Sequence, residues 1–375
     1  MIPVNEPLFT DREKELLVEC VETRWISSEG SLVRRFEEIF AEFVGVKQGV
    51  AVSSGTAALE VSIAALEIEP GDEVIIPAFT IISCAMAVVR NGLKPVLVDV
   101  ESETWNIDVD QVARKIGPKT KAVMPVHMYG HPVDMEPLLE LADHHRLHVI
   151  EDAAEAHGAE YKGRKCGSIG HIAAFSFYAN KIVTTGEGGM VVTDDSRLAE
   201  RVQAMRNLCF QPTQRFLHDE LGYNFRLTNL QAAVGVAQME RVDELVKRKI
   251  WQGEEYRKRL KDIEGIKLQT VRDWARPVYW VNGFVLADEV SMDAFELAAR
   301  LKPYGVQTRP FFWPMHEQPV FKRMRLFDGE RYPVAENLAR RGLYLPSGMA
   351  LTAGQIATVC DALREVLMGA ENDGV

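Results

Sequence analysis

Positive charge is in short supply along this chain: 43 Lys and Arg stand against 54 Asp and Glu, a formal net charge of −11 over 375 residues. Binding to a nucleic-acid backbone rests on clustered cations that displace counterions, so this balance argues against such a partner. An anionic ligand must instead be held by a few local donors. Cysteine is scarce and scattered. Cys20, Cys84, Cys166, Cys209 and Cys360 form no CxxC pair, so neither a metal site nor a disulfide framework is expected, and the thiols read as reduced in a cytoplasmic protein. The opening MIPVNEPLFTDREKE lacks the basic start and apolar stretch of a secretory signal. Long hydrophobic runs are missing too. The most apolar window, residues 74–89, is interrupted by Pro77, Thr80 and Ser83, short of the roughly 20 apolar residues of a membrane span, so it reads as buried core with no membrane partner. Repeats and low-complexity tracts are absent, as are two nucleotide motifs. No GxGxxG follows a first strand, and residues 158–165 (GAEYKGRK) displace the lysine of a P-loop and lack its Ser or Thr.

What is present is the mix of an ordered globular protein, 47% hydrophobic and 26% charged, long enough for two domains. The first two thirds alternate β-branched runs with helical patterns, as a mostly parallel sheet covered by helices does. Strands are expected over residues 49–52, 73–76, 94–98, 121–126, 147–150, 173–177 and 190–193, with helices over 56–66 and 135–145 and a hairpin around 162–165. One long helical pattern, residues 229–260, links this large domain (1–245) to a smaller C-terminal α+β domain (246–375). That second domain is expected to hold a strand at 278–286 and helices at 292–301 and 355–367.

Three motifs carry chemistry. Lys181 follows an apolar strand and precedes the glycine-rich turn TTGEGGM, which places its amine at a strand end beside backbone that can approach a ligand closely. A lysine that bonds a carbonyl carbon needs that partly desolvated position. Asp152 ends the run LHVIED, where open α/β sheets put ligands, and a carboxylate there could pair with a pyridinium nitrogen. Ser54, Gly55 and Thr56 lead into a helix whose free N–H groups and dipole suit a phosphate. Taken singly, each has a plain structural reading: a solvated lysine, a helix cap at Asp152, an N-cap at Ser54.

Together with RWISSEG, GDEVIIPAFT, PVLVDV, KAVMPVHMYG, VIEDAAEAHGA, FSFYANKIVTTGEGGMVVT, GYNFRLTNLQAA and TRPFFWPMH, these motifs make almost the whole chain resemble the DegT-type nucleotide-sugar aminotransferases, fold-type I pyridoxal-phosphate enzymes. The resemblance implies that Lys181 anchors pyridoxal 5′-phosphate covalently, with pyridoxamine 5′-phosphate as the alternate form. It implies Asp152 at the ring nitrogen, Glu155 near the phenolic oxygen, and Ser54, Gly55, Thr56 and Ser176 around the phosphate. Ile81 would cover the ring where relatives often place an aromatic residue. Asn224 would come from the partner subunit of a homodimer. Glutamate would donate the amino group and a nucleotide-linked keto sugar would accept it. Trp25, Ser27, His127, Arg309 and His316 are the candidates for contacting that sugar nucleotide. A dehydratase of the same family would carry His in place of Lys181, and a scaffold retained as a regulator would lack a response to amino donors.

Overall fold

The computed structural model describes residues 1–211 and 213–372. Short β-branched runs form seven strands: β1 Gln48–Val52, β2 Glu73–Pro77, β3 Lys94–Val98, β4 Thr120–Val123, β5 His148–Asp152, β6 Ile172–Ser176 and β7 Gly189–Thr193. They assemble in the order β1-β7-β6-β5-β4-β2-β3. Neighbours from β6 to β3 are parallel, while β7 runs antiparallel to both β6 and β1.

Burial alternates along the strands with the period of the pleat. Val50, Val52, Ile172, Ala174 and Val191 join one core, and Ala51, Ala173, Phe175, Met190 and Val192 join another on the opposite face. Both faces are therefore covered, as a mostly parallel sheet requires. The covering helices of this part are α1 Asp11–Thr23, α2 Ser31–Val44, α3 Gly55–Ala65, α4 Ile82–Arg90, α5 Val109–Lys115, α6 Met135–His145, α7 Ser196–Arg206 and α8 Asn229–Met239. Phe36 and Phe40 of α2 stack edge-on against Phe175 and Phe177 with ring centroids 4.8–4.9 Å apart, while Leu59 and Val61 of α3 share the other core with Ile150 and Ile172.

The continuous helical pattern over residues 229–260 is broken in two. Arg241 leaves helical geometry (φ −129°, ψ 22°), so α8 ends at Met239 and α9 Val242–Leu260 sets off anew. The strand expected over residues 278–286 also divides. Its first part leaves the sheet, because the Val278 and Trp280 N–H groups donate to the carbonyls of Gly130 and Tyr129 at 3.0 Å. Pairing resumes only at Asn282, in an antiparallel second sheet built from β8 Ile266–Leu268, β9 Asn282–Leu286, β10 Arg309–Pro310 and β11 Gly342–Leu345, in the order β8-β9-β11-β10.

That sheet shares a core with α9, α10 Ala294–Leu301 and α13 Ala353–Asn372, while α11 Pro319–Arg323 and α12 Pro333–Arg341 lie between α10 and α13 in the chain. The first residues of the chain attach here: Ile2 bridges to Val306, and the Ser347 N–H donates to the Val4 carbonyl at 2.8 Å. The hairpin expected around residues 162–165 pairs Glu160–Tyr161 with Arg164–Lys165, and Ala275–Arg276 adds a third short strand. Among the described residues, no helix is long and apolar enough to cross a membrane.

Candidate active site

Asp152 terminates β5 and Ser176 terminates β6, so two parallel strands deliver polar side chains to the same edge of the sheet, facing the start of α3. A cavity of about 390 Å³ opens there, lined by Ser54, Gly55, Thr56, Ile81, Ser83, Asp152, Glu155, Ser176, Tyr178, Asn180, Lys181, Trp280, Phe312 and Tyr344 among others. Eight residues singled out by sequence thus meet, although they are spread from position 54 to position 181; Ile81, Glu155 and Ser176 are among them.

The helix end is shaped for an anion. Ser54 caps α3 by accepting the Ala57 N–H at 3.1 Å, which leaves the Gly55 and Thr56 N–H groups in the open first turn. A Cβ at Gly55 would stand 2.7 Å from that of Ser176, so the close approach of helix and strand depends on glycine. The Thr56 and Ser83 hydroxyls bond each other at 2.8 Å.

Asp152 is fixed by two donors, the Ala154 N–H at 3.1 Å and the Cys84 thiol at 3.1 Å. Glu155 accepts the Tyr129 N–H at 2.8 Å. Tyr129 aims that group by taking a left-handed conformation (φ 56°). Burial pushes Glu155 up from the usual carboxylate range, against the opposing pull of Lys181. The same burial pulls the Lys181 amine below the usual lysine range, while Glu155 and Asp152 hold it back. A lysine of depressed basicity gives up its proton more readily than a solvated one and is the better nucleophile for it.

Pyridoxal phosphate fits these residues. The cavity joins an amine, a buried acid and a glycine-opened helix N-terminus, and Asn180 on its lining carries a buried Oδ1 with no hydrogen-bond partner. Ile81, 38% exposed at the N-cap of α4, supplies an aliphatic wall.

Other expected residues lie elsewhere. His127 is fully buried outside the lining. Its Nε2 donates to Glu151 at 2.9 Å and its Nδ1 accepts the Val133 N–H at 3.1 Å, so both ring nitrogens are engaged within the protein. His316 is also buried, with Nε2 3.2 Å from Glu336. Arg309 is exposed on β10, paired to Tyr344 of the lining but outside the lining itself.

Trp25 and Ser27 stand on an exposed loop whose carbonyls are held by Asn229, at 2.7 Å from the side chain and 3.0 Å from the backbone. Asn224 is exposed and bridges to Asn207. Two polar depressions that share Ser28 and Arg206 lie beside these residues: one is lined by Trp25, Ser28 and Arg206, the other by Ser28, Arg206, Asn207 and Arg226, where Asn207 is the bridge partner of Asn224. Sequence reasoning missed Trp280 and Tyr344 on the cavity lining, and Tyr178, Asn180 and Phe312 were visible only as parts of FSFYANKIVTTGEGGMVVT and TRPFFWPMH.

Comparison with known proteins places this site in a family. The family model described as the DegT/DnrJ/EryC1/StrS aminotransferase family matches residues 7–364. The chain is 40% identical to GDP-perosamine synthase of Escherichia coli O157:H7, over 97% of this chain and 98% of that one. It is 41% identical to GDP-perosamine synthase of Caulobacter vibrioides, over 98% of each. Among solved structures, S. venezuelae DesV in complex with a ketimine intermediate superposes with a TM-score of 0.88 at 36% identity, covering 95% of this chain and 94% of that one. The chain therefore belongs to the DegT/DnrJ/EryC1/StrS aminotransferase family and is a pyridoxal-phosphate-dependent aminotransferase with that fold.

Proposed function

We propose that this enzyme transfers the amino group of glutamate to carbon 4 of GDP-4-keto-6-deoxymannose, giving GDP-perosamine for lipopolysaccharide O-antigen synthesis in the cytoplasm. The observation that carries this reading is identity of 40–41% along nearly the full length of two GDP-perosamine synthases. A second reading, a dTDP-linked keto sugar, draws on 38% identity over 90% of this chain to a dTDP-3-amino-3,4,6-trideoxy-alpha-D-glucose transaminase of Streptomyces venezuelae.

The chain's own residues divide the work. Lys181 holds the cofactor covalently and, once released, carries a proton as base and then as acid at Nζ. Asp152, kept in place by Cys84 and Ala154, would hold the ring nitrogen of the bound cofactor. Glu155 would stand by the phenolic oxygen, and its raised proton affinity suits a group that would share a proton there. Gly55, Thr56 and Ser176, with Ser54 as cap, take the phosphate. Bound pyridoxal phosphate supplies the electron sink that makes proton removal from the donor carbon feasible.

We read the active form as a homodimer. Exposed Phe9, Val18 and Val21 give α1 and its approach an apolar face, and Trp25, Ser27 and Asn224 are exposed outside the cavity lining of their own chain. A two-fold pairing would bring them to the partner's cavity. The test of substrate is a screen of GDP-, UDP- and dTDP-linked 4-keto-6-deoxy sugars with glutamate, reading 2-oxoglutarate. A response confined to the GDP-mannose derivative supports the proposal, and one confined to a UDP or dTDP sugar overturns it.

A further inference from the structure

Trp280 belongs to no motif of the sequence, yet it lines the cavity. Lys181 Nζ stands 3.6 Å from the centroid of its indole ring, well inside the range in which a cation is attracted by an aromatic face. The ring is held rigidly. Its Nε1–H donates to the Asn180 carbonyl at 2.9 Å, one residue from the lysine, and its backbone N–H donates to the Tyr129 carbonyl at 3.0 Å. The Asn5 amide donates to the same Asn180 carbonyl at 3.2 Å. Close approach of the Trp280 strand to the Tyr129 turn depends on Gly130, where φ is +88° and a Cβ would meet Val278 at 2.9 Å and the Trp280 nitrogen at 3.0 Å. Trp280 itself is only 4% exposed, so the face it offers the amine is dry.

We propose that Trp280 is a positioning residue for amine transfer, its indole face being the berth on which the Lys181 amine rests whenever it is free of the cofactor. This rests on Lys181 being the cofactor's anchor. Once glutamate has been deaminated, the lysine must wait close to the carbon it will protonate. A flexible side chain left in the cavity would populate many rotamers, and the indole selects one. The berth also sets the proton balance. Asp152 and Glu155 favour the charged amine and burial disfavours it. His157, packed against Phe40, Phe175 and Phe177, is held neutral by its own burial and by the lysine's charge, with a pKa lowered to about 3. The aromatic face adds to the carboxylates' side, without adding a net charge that would compete with Asp152 for the cofactor.

Trp280→Leu removes both the face and the Nε1–H, whereas Trp280→Phe keeps a weaker face and loses only the N–H. The holoenzyme is treated with glutamate to free the lysine, then labelled competitively with acetic anhydride across a pH series, and the acetylated Lys181 peptide is quantified by mass spectrometry. The midpoint for Lys181 should fall by about one pH unit in Trp280→Leu and by less than half as much in Trp280→Phe. The alkaline-to-acid profile of amine transfer should move in parallel, with KM for the sugar little changed. An unmoved midpoint in Trp280→Leu overturns the berth. So does a Trp280→Phe midpoint as low as that of Leu, which would assign the effect to the Asn180 hydrogen bond. If Trp280→Leu does not fold, Trp280→Phe decides alone: a fall of a full unit, or none, overturns the proposal. Borohydride reduction of the untreated holoenzyme separates the two levels. Cofactor mass on Lys181 together with an unmoved midpoint defeats the berth only, and cofactor mass on another lysine defeats the anchor and the berth together.

Discussion

At the scale of single residues, burial decides which groups are chemical and which are structural. Lys181 and Lys249 are both taken from water, but only one has carboxylates to face. Lys249, on α9, donates to the Ser347 carbonyl and, at 3.3 Å, to Gln252, and burial alone lowers its pKa to about 7. The folded chain thus gives up a proton that the unfolded chain keeps. Between about pH 7 and the usual lysine value of 10.5 the unfolded state holds more protons, so this residue makes stability rise with pH across that window. Below pH 7 both states carry the charge, and the penalty is constant. Chemical unfolding of wild type and Lys249→Met should therefore diverge, wild type gaining on the order of a few kcal/mol relative to the variant from pH 7 to pH 10. A flat difference would show the amine to be charged in the fold throughout. Lys181→Ala should fold normally, because its amine serves no structural pairing that the carboxylates cannot replace with water, and amine transfer should fall by on the order of 1,000-fold. Stopped-flow reading of 2-oxoglutarate release checks it.

The element scale shows what the sequence makes legible and what it hides. Strands β2, β3 and β4 were readable because β-branched runs are bounded by Gly, Pro or Asp, and the fixed order of strand, carboxylate and lysine brought Asp152 and Lys181 into view. The break between α8 and α9 was not, since Glu240 and Arg241 are good helix formers and the bend is imposed by tertiary packing rather than by a Gly or Pro. Trp280 and Tyr344 were hidden for a different reason: they arrive from the second sheet's segments, and nothing local marks a side chain as aimed at a cavity formed by distant strands. His127 carried the opposite error. It sits in the string KAVMPVHMYG, which helped carry the family resemblance, but Glu151 and the Val133 N–H consume it. The start of α3 gives this scale its prediction. Ser54→Ala should cost about 1 kcal/mol of stability through loss of the cap. Gly55→Ala should do something separate, forcing helix and β6 apart at Ser176 and weakening retention of pyridoxal phosphate by about tenfold or more. Equilibrium dialysis followed at the cofactor band near 400 nm reads the second effect, and urea unfolding of the cofactor-free chain reads the first. Equal losses by both variants in both assays would mean that the helix end acts only as a structural cap.

For the whole molecule the question is whether one chain suffices. The cavity beside Lys181 holds the acid, the lysine and the helix end, while Asn224 is exposed outside its lining and bridges to Asn207, which lines a depression with Arg206 and Arg226. If each cavity is completed by the other subunit's Asn224, Lys181→Ala and Asn224→Ala damage different chains of the same site. Each variant alone is then inactive or nearly so, because every cavity in a homodimer carries the same lesion. Mixed and allowed to exchange subunits, the two produce heterodimers in which one cavity bears both lesions and the other bears neither. With random pairing, half the dimers are mixed and one cavity in two is intact, so activity should return to about a quarter of wild type. Sedimentation before and after mixing establishes that dimers form and exchange. Recovery near a quarter places Asn224 in the partner's cavity. Dimers that exchange freely and recover nothing would place each lysine and its asparagine in service of the same site, and the two-chain cavity would have to be abandoned.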